Sequence, residues 1–198
     1  MRLCRFALLL LAVAAFPPLY GGTVVLDFEG FLDGTSLTTQ YAGLTFTNAT
    51  IITAGISLNE FEFPPYSGTN VVFDDGGPIS IAFDTPVLRF GGYFTYTEQL
   101  TLAGFDATST QVATAVSAFS SNDALFGDTG SSPNEFVSVS FAGGISSVTI
   151  TGDPLGGSFV MDDATYITPE ATVPEPSSTV LILAGVGLLA AFRKRDIL

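Results

Sequence analysis

Phe136-Val137-Ser138-Val139-Ser140-Phe141 and, a few positions on, Ser146-Ser147-Val148-Thr149-Ile150-Thr151 decide the fold class. Val137, Val139 and Phe141 alternate with Ser138 and Ser140, and Val148 and Ile150 alternate with Thr149 and Thr151. A strand sends successive side chains to opposite faces, so each stretch reads as a strand with one apolar and one wet face. Helical periodicity is missing from the middle of the chain, where short β-branched and aromatic runs recur between clusters of Gly, Pro, Asp and Ser. Strands are expected near Thr23–Phe28, Leu44–Thr47, Thr50–Ile56, Val71–Phe73, Ile79–Phe83, Val87–Thr97, Leu100–Phe105, Val112–Phe119, Phe136–Phe141, Ser146–Thr151 and Ser158–Ile167. This pattern predicts an all-β antiparallel domain of two sheets packed face to face.

Asp33-Gly34, Gly76-Gly77-Pro78, Gly143-Gly144 and Gly156-Gly157 supply the turns, and none opens a helix that could cradle a phosphate. A jelly-roll-like β-sandwich is the expected architecture, with an immunoglobulin-like sandwich second. It fills residues 23–168, roughly 145 positions, which is the size of one domain. No repeat at a solenoid or propeller period is visible. Residues 169–172 read as a short linker.

The two ends are of another kind. Arg2 and Arg5 precede an apolar stretch from Phe6 to Phe16, then small residues and Pro17-Pro18, which is the order of a secretory signal peptide over residues 1–22. Ala12-Val13-Ala14 offers one cleavage site and the region of Gly21-Gly22 another. Cys4 precedes the apolar run, the wrong side for lipoprotein acylation. At the far end Val173-Pro174-Glu175-Pro176-Ser177 leads into an apolar run, expected as a transmembrane helix over about 178–192, and then the basic stop Arg193-Lys194-Arg195. A glutamate bracketed by prolines cannot sit inside a helix, so the motif is an extended, accessible segment. The basic residues flanking both apolar segments put both termini in the cytoplasm and residues 23–168 outside. Gly185-Val186-Gly187-Leu188-Leu189-Ala190 spells a dinucleotide fingerprint by chance, since the chain leaves no room for the strand and acidic residue that must follow it.

This tripartite C-terminus resembles the PEP-CTERM sorting tail of bacteria. The resemblance implies secretion, recognition of the Pro-Glu-Pro motif by a membrane-embedded exosortase, and removal of the tail as the protein reaches the cell surface or extracellular matrix. An ordinary single-span anchor is the alternative reading of the same apolar run.

Between the ends there is no histidine, cysteine, lysine or tryptophan, and the one basic residue is Arg89. That composition excludes a Ser-His-Asp triad, a cysteine nucleophile, a Schiff-base lysine and a conventional zinc or copper site. Sixteen acidic residues from Asp27 to Asp163 exclude nucleic acid as a partner, because phosphate binding needs clustered cations. Divalent cations and neutral sugars stay open, and no disulfide can staple the fold.

Leu26-Asp27-Phe28-Glu29-Gly30, Tyr41-Ala42-Gly43-Leu44-Thr45-Phe46 and Ser158-Phe159-Val160-Met161-Asp162-Asp163-Ala164-Thr165-Tyr166 look like segments of the jelly-roll ectodomains that PEP-CTERM proteins often carry, and more loosely like extracellular carbohydrate-binding modules. In such sandwiches the first and last strands lie side by side, which the resemblance takes to bring Asp27 and Glu29 near Asp162 and Asp163. A structural Ca²⁺ is one expectation for these oxygens, and carboxylates facing water or backbone N–H groups are the other. On the Val87–Thr97 strand, Leu88, Phe90, Phe94 and Tyr96 are expected to face the core, and Arg89, Tyr93 and Thr95 to share the other side. Arg89 and Tyr93 are the candidate ligand-binding pair, since Tyr stacks on pyranose faces and Arg donates in-plane hydrogen bonds. The alternative there is a solvated sheet face with Arg89 paired to an acid. Tyr41, Tyr66 and Phe63-Pro64-Pro65 fall in loops, and the sequon Asn48-Ala49-Thr50 is incidental in a bacterial chain. The resemblances imply a binding or structural component of the cell surface or matrix, associated with exopolysaccharide, and the composition makes a non-catalytic role the expectation. The rival is a glycoside hydrolase or other polysaccharide-modifying enzyme working through carboxylates alone.

Overall fold

A computed structural model describes residues 21–169. The signal peptide apart from Gly21 and Gly22, the linker apart from Pro169, and the whole tail at 173–198 lie outside the described residues. Gly21–Glu170 is one compact unit. Thr168 N donates to the Gly22 carbonyl and Gly22 N to the Thr168 hydroxyl, so the unit's two ends meet and it closes on its own core. Among the described residues no helix is long and apolar enough to cross a membrane.

Ten antiparallel strands make up the domain: β1 (Thr23–Leu26), β2 (Ser36–Leu37), β3 (Leu44–Thr47), β4 (Ala49–Thr53), β5 (Asn70–Asp74), β6 (Ile79–Tyr96), β7 (Thr101–Phe105), β8 (Gln111–Val116), β9 (Glu135–Thr151) and β10 (Phe159–Ile167). They are hydrogen-bonded in the order β2-β4-β5-β10-β6-β9-β7-β8, with β1 beside β10 and β3 beside β6. The sandwich arises because β6 and β9 belong to both layers. The first half of β6 pairs with β3 and with the second half of β9, which pairs on its other edge with β7. The second half of β6 pairs with β10 and with the first half of β9.

The two halves meet at bends. Register between β6 and β9 slips twice, between Ala82 and Val87 and between Val87 and Arg89. Pro86 sits in the first slip, where no ladder N–H is required of it. The two runs expected at Ile79–Phe83 and Val87–Thr97 are therefore one strand, and so are those at Phe136–Phe141 and Ser146–Thr151. Gly143-Gly144, expected as a turn, is the bend inside β9. There Gly144 has φ of +93°, and a Cβ on it would come 2.9 Å from Cβ of Pro86.

The inward phase changes by one residue at the second slip, between Val87 and Arg89. Ile79, Ile81, Phe83 and Val87 face inward before it, and Phe90, Phe94 and Tyr96 after it. Leu88, expected in the core, is only half-buried because Val87 takes that place. Phe141, expected inside, is 37 % exposed at the β9 bend. Leu44, Ile81, Leu102 and Ile150 of one layer and Leu26, Ile51, Phe94 and Met161 of the other form a single buried cluster. Full burial of each such side chain contributes about 1.5–3 kcal/mol, which here takes the place of any disulfide.

Candidate functional site

The second half of β6 carries Arg89, Gly91 and Tyr93 on the face turned away from the core. In register beside them on β9 stand Phe136, opposite Tyr93, and Ser138, opposite Gly91. Gly91 is required there by close approach: a Cβ would lie 2.6 Å from Cβ of Ser138 and 2.9 Å from Cζ of Phe136. The Phe136 ring thus lies down across the gap between Arg89 and Tyr93. It meets the Tyr93 ring edge-on at 5.0 Å and 61°, and the Arg89 guanidinium sits 5.7 Å from its centroid. Arg89 also donates to the Ser138 hydroxyl at 2.9 Å. That pairing and the ring contact hold the guanidinium, with no acid paired to it among the described residues.

A fourth residue arrives from the loop between β4 and β5. Tyr66 stacks on Tyr93 with ring centroids 3.5 Å apart and an interplanar angle of 7°. Tyr66 is 48 % exposed and Phe136 41 %. Hydrogen bonding to Tyr66, then burial and the neighbouring Asp163 charge, push the Tyr93 hydroxyl above its ordinary range, so it is neutral at physiological pH. The result is a contiguous aromatic surface with one cation at its rim, on a sheet face. Thr95, expected on this surface, is fully buried, because Asn134 covers it by donating to its hydroxyl at 3.1 Å.

The four carboxylates expected near one another are placed as follows. β1 does lie beside β10, with Leu26 opposite Ala164. Asp162 is 1 % exposed, and its Oδ2 accepts from Tyr66 N at 2.8 Å and Ser67 N at 2.9 Å, while Oδ1 accepts from Asp163 N at 2.7 Å. Asp163 accepts from the Ser67 hydroxyl at 2.9 Å. Glu29 accepts from Thr69 N and Asn70 N at 2.8 and 2.7 Å. Asp27 accepts from Glu29 N at 3.3 Å and joins none of the others. Three of the four hold the 66–70 segment, Asp162 and Glu29 at its backbone and Asp163 at the Ser67 hydroxyl, and among the described residues no three acidic side chains group together. Burial raises the Asp162 carboxyl to about 6, against the lowering effect of its backbone donors. It lies beneath the loop with its oxygens already engaged, a position no glycosidic bond could reach.

Of the site, Arg89 and Tyr93 were legible in the sequence. Phe136 was missed although the same alternation marks it: it precedes Val137 on the wet face, where a phenylalanine is out of place. Tyr66 carried no sequence signal beyond being an aromatic in a loop.

Fold and surface together define a β-sandwich with an exposed aromatic face. Residues 172–195 match the profile of the PEP-CTERM protein-sorting motif. No curated protein matches the chain. Solved structures similar to it include a DUF4465 family protein from Bacteroides caccae, 11 % identical, covering 74 % of this chain and 99 % of its own, with a TM-score of 0.46. The K1 cleaved adhesin domain of Lys-gingipain from Porphyromonas gingivalis W83 is 11 % identical over 76 % of this chain and 100 % of its own, with a TM-score of 0.44. The family 11 carbohydrate-binding module from Clostridium thermocellum, in complex with a β-1,3-1,4-mixed-linked tetrasaccharide, is 12 % identical over 76 % of this chain and 98 % of its own, with a TM-score of 0.35.

Proposed function

We propose that this chain is an exported surface or matrix protein whose β-sandwich binds a polysaccharide without cleaving it. The carrying observation is the face formed by Tyr66, Tyr93, Phe136 and Arg89: half-exposed rings next to a guanidinium held by the Ser138 hydroxyl and the Phe136 ring. Pyranose C–H faces stack on such rings, and the outward N–H groups of Arg89 donate to ring or hydroxyl oxygens. The acidic surface selects against uronic or sulfated chains and leaves uncharged glycan as the ligand class. The sorting tail supports delivery: secretion machinery exports the chain, a helix at about 178–192 holds it in the membrane transiently, and an exosortase acts at Pro174-Glu175-Pro176.

The test incubates residues 21–169 with the producing organism's exopolysaccharide and follows co-sedimentation and reducing-end release together. Retention without new reducing ends is expected, and a doubly substituted Arg89→Ala, Tyr93→Ala protein should lose at least tenfold in affinity, about 1.4 kcal/mol. Unchanged affinity in that variant overturns the site, and carboxylate-dependent release of reducing ends overturns the non-catalytic reading.

A further inference from the structure

Adjacent residues on a strand face opposite ways, yet Asp162 and Asp163 both reach the same residue, Ser67, one at its amide and the other at its hydroxyl. The cause is a break in the strand. The pairing of β10 with β6 slips between Asp162 and Thr165, and Asp163 has φ of +43°, a left-handed backbone unusual for any residue but glycine. Strain of that kind persists only where surrounding contacts hold it, and it gathers at functional sites. Here it turns two neighbouring carboxylates onto the loop that carries Tyr66.

We propose that Asp162 is the positioning residue of the aromatic face, its buried carboxylate holding the backbone at Tyr66 and Ser67 so that the Tyr66 ring is laid on Tyr93. The inference rests on the binding reading above for its consequence, but not for its geometry. Tyr66 is half in water, so ring contact alone gives a loop residue little reason to stay in one place. Two charge-assisted bonds to a single oxygen, formed out of water, give it one. Asp162 sits opposite Tyr93 in the β10–β6 register, so the group that anchors the upper ring is fixed to the strand that carries the lower one. The stack is thereby set by the rigid sheet and not by the loop, as a pre-organised binding surface requires.

The chain has no tryptophan, so near-ultraviolet circular dichroism is dominated by tyrosine and reports the stacked pair directly. Subtracting the spectrum of Tyr66→Leu from that of the parent isolates the pair's signal. Asp162→Ala should lose that signal and weaken exopolysaccharide binding at least fivefold, while still unfolding cooperatively. Asp162→Asn, whose amide oxygen can still accept from Tyr66 N and Ser67 N, should recover most of both. An intact pair signal in Asp162→Ala overturns the proposal. If the pair signal is lost but Tyr93→Ala binds exopolysaccharide normally, the positioning role stands and the binding reading fails. Should Asp162→Ala not fold, through-hydrogen-bond coupling between the Tyr66 and Ser67 amide nitrogens and the Asp162 carboxyl carbon is measured in the parent protein: its detection supports the anchoring, and its absence overturns it.

Discussion

Asp74 shows how a single carboxylate closes this fold. It is fully buried at the end of β5 and accepts from the amide and hydroxyl of Ser158 and from the amide of Phe159, so it pins the start of β10. Burial raises its carboxyl above the ordinary range even though those donors pull the other way. The donors gain an acceptor they could not find in a dry layer, and that is the larger effect on removal. Asp74→Ala leaves three buried donors unpaired, each worth about 1–3 kcal/mol, and is expected to cost about 3 kcal/mol or more in urea unfolding at an unchanged slope. Asp74→Asn keeps one acceptor oxygen and should lose less. Equal stability of Asp74→Ala and the parent would mean that water replaces the carboxylate.

The bends of β6 and β9 carry the architecture, and at Gly144 they depend on a backbone that a side chain resists. Gly144→Ala forces a Cβ into a positive φ and against Pro86, for an expected loss of about 2 kcal/mol. Gly30→Ala is the control, since nothing lies within 4 Å of the added carbon and its φ is not positive, and it should shift thermal unfolding by no more than a degree or two. These bends also mark where the sequence stops being readable. Period-two alternation places Val137, Val139, Val148 and Ile150 inward as observed, because burial of one face is decided locally. Pro86 and Gly143-Gly144 carry the same local signal whether the chain reverses or bends and continues, and the choice rests on pairing between residues 50 or more positions apart, such as Ile81 and Val148. The site divides the same way. Arg89 and Tyr93 follow from alternation, whereas Tyr66 reaches them only through bonds to Asp162 almost a hundred residues away. The side-by-side placement of β1 and β10 was legible, but the direction of their carboxylates was not, since a left-handed Asp163 leaves no mark in composition.

Across the whole molecule, buried carboxyls and net charge act on stability with one sign. The chain carries a net charge of −13, and its folded domain brings acids together with Arg89 alone to offset them. Asp162, held at about 6, keeps its proton to higher pH than an unfolded aspartic acid near 4, and Asp74 shifts in the same direction. Between those values the folded state binds more protons than the unfolded state, so this contribution is fully present below about pH 4, falls as pH rises through 6, and is absent above. For Asp162 the whole span corresponds to about 3 kcal/mol, and roughly half of it lies between pH 7.5 and pH 5. Mutual repulsion among surface carboxylates adds to the trend, but salt screens it, whereas a carboxyl taken out of water is screened far less. Residues 21–169 should therefore melt roughly 3–6 °C higher at pH 5 than at pH 7.5, and the difference should survive 0.5 M salt in large part. Asp162→Asn, with nothing to titrate at that position, should flatten most of the slope. A slope that salt abolishes in the parent while Asp162→Asn leaves it intact would place the pH response on the surface and not on the buried anchor of the aromatic face, and a melting temperature that falls on acidification would overturn both contributions.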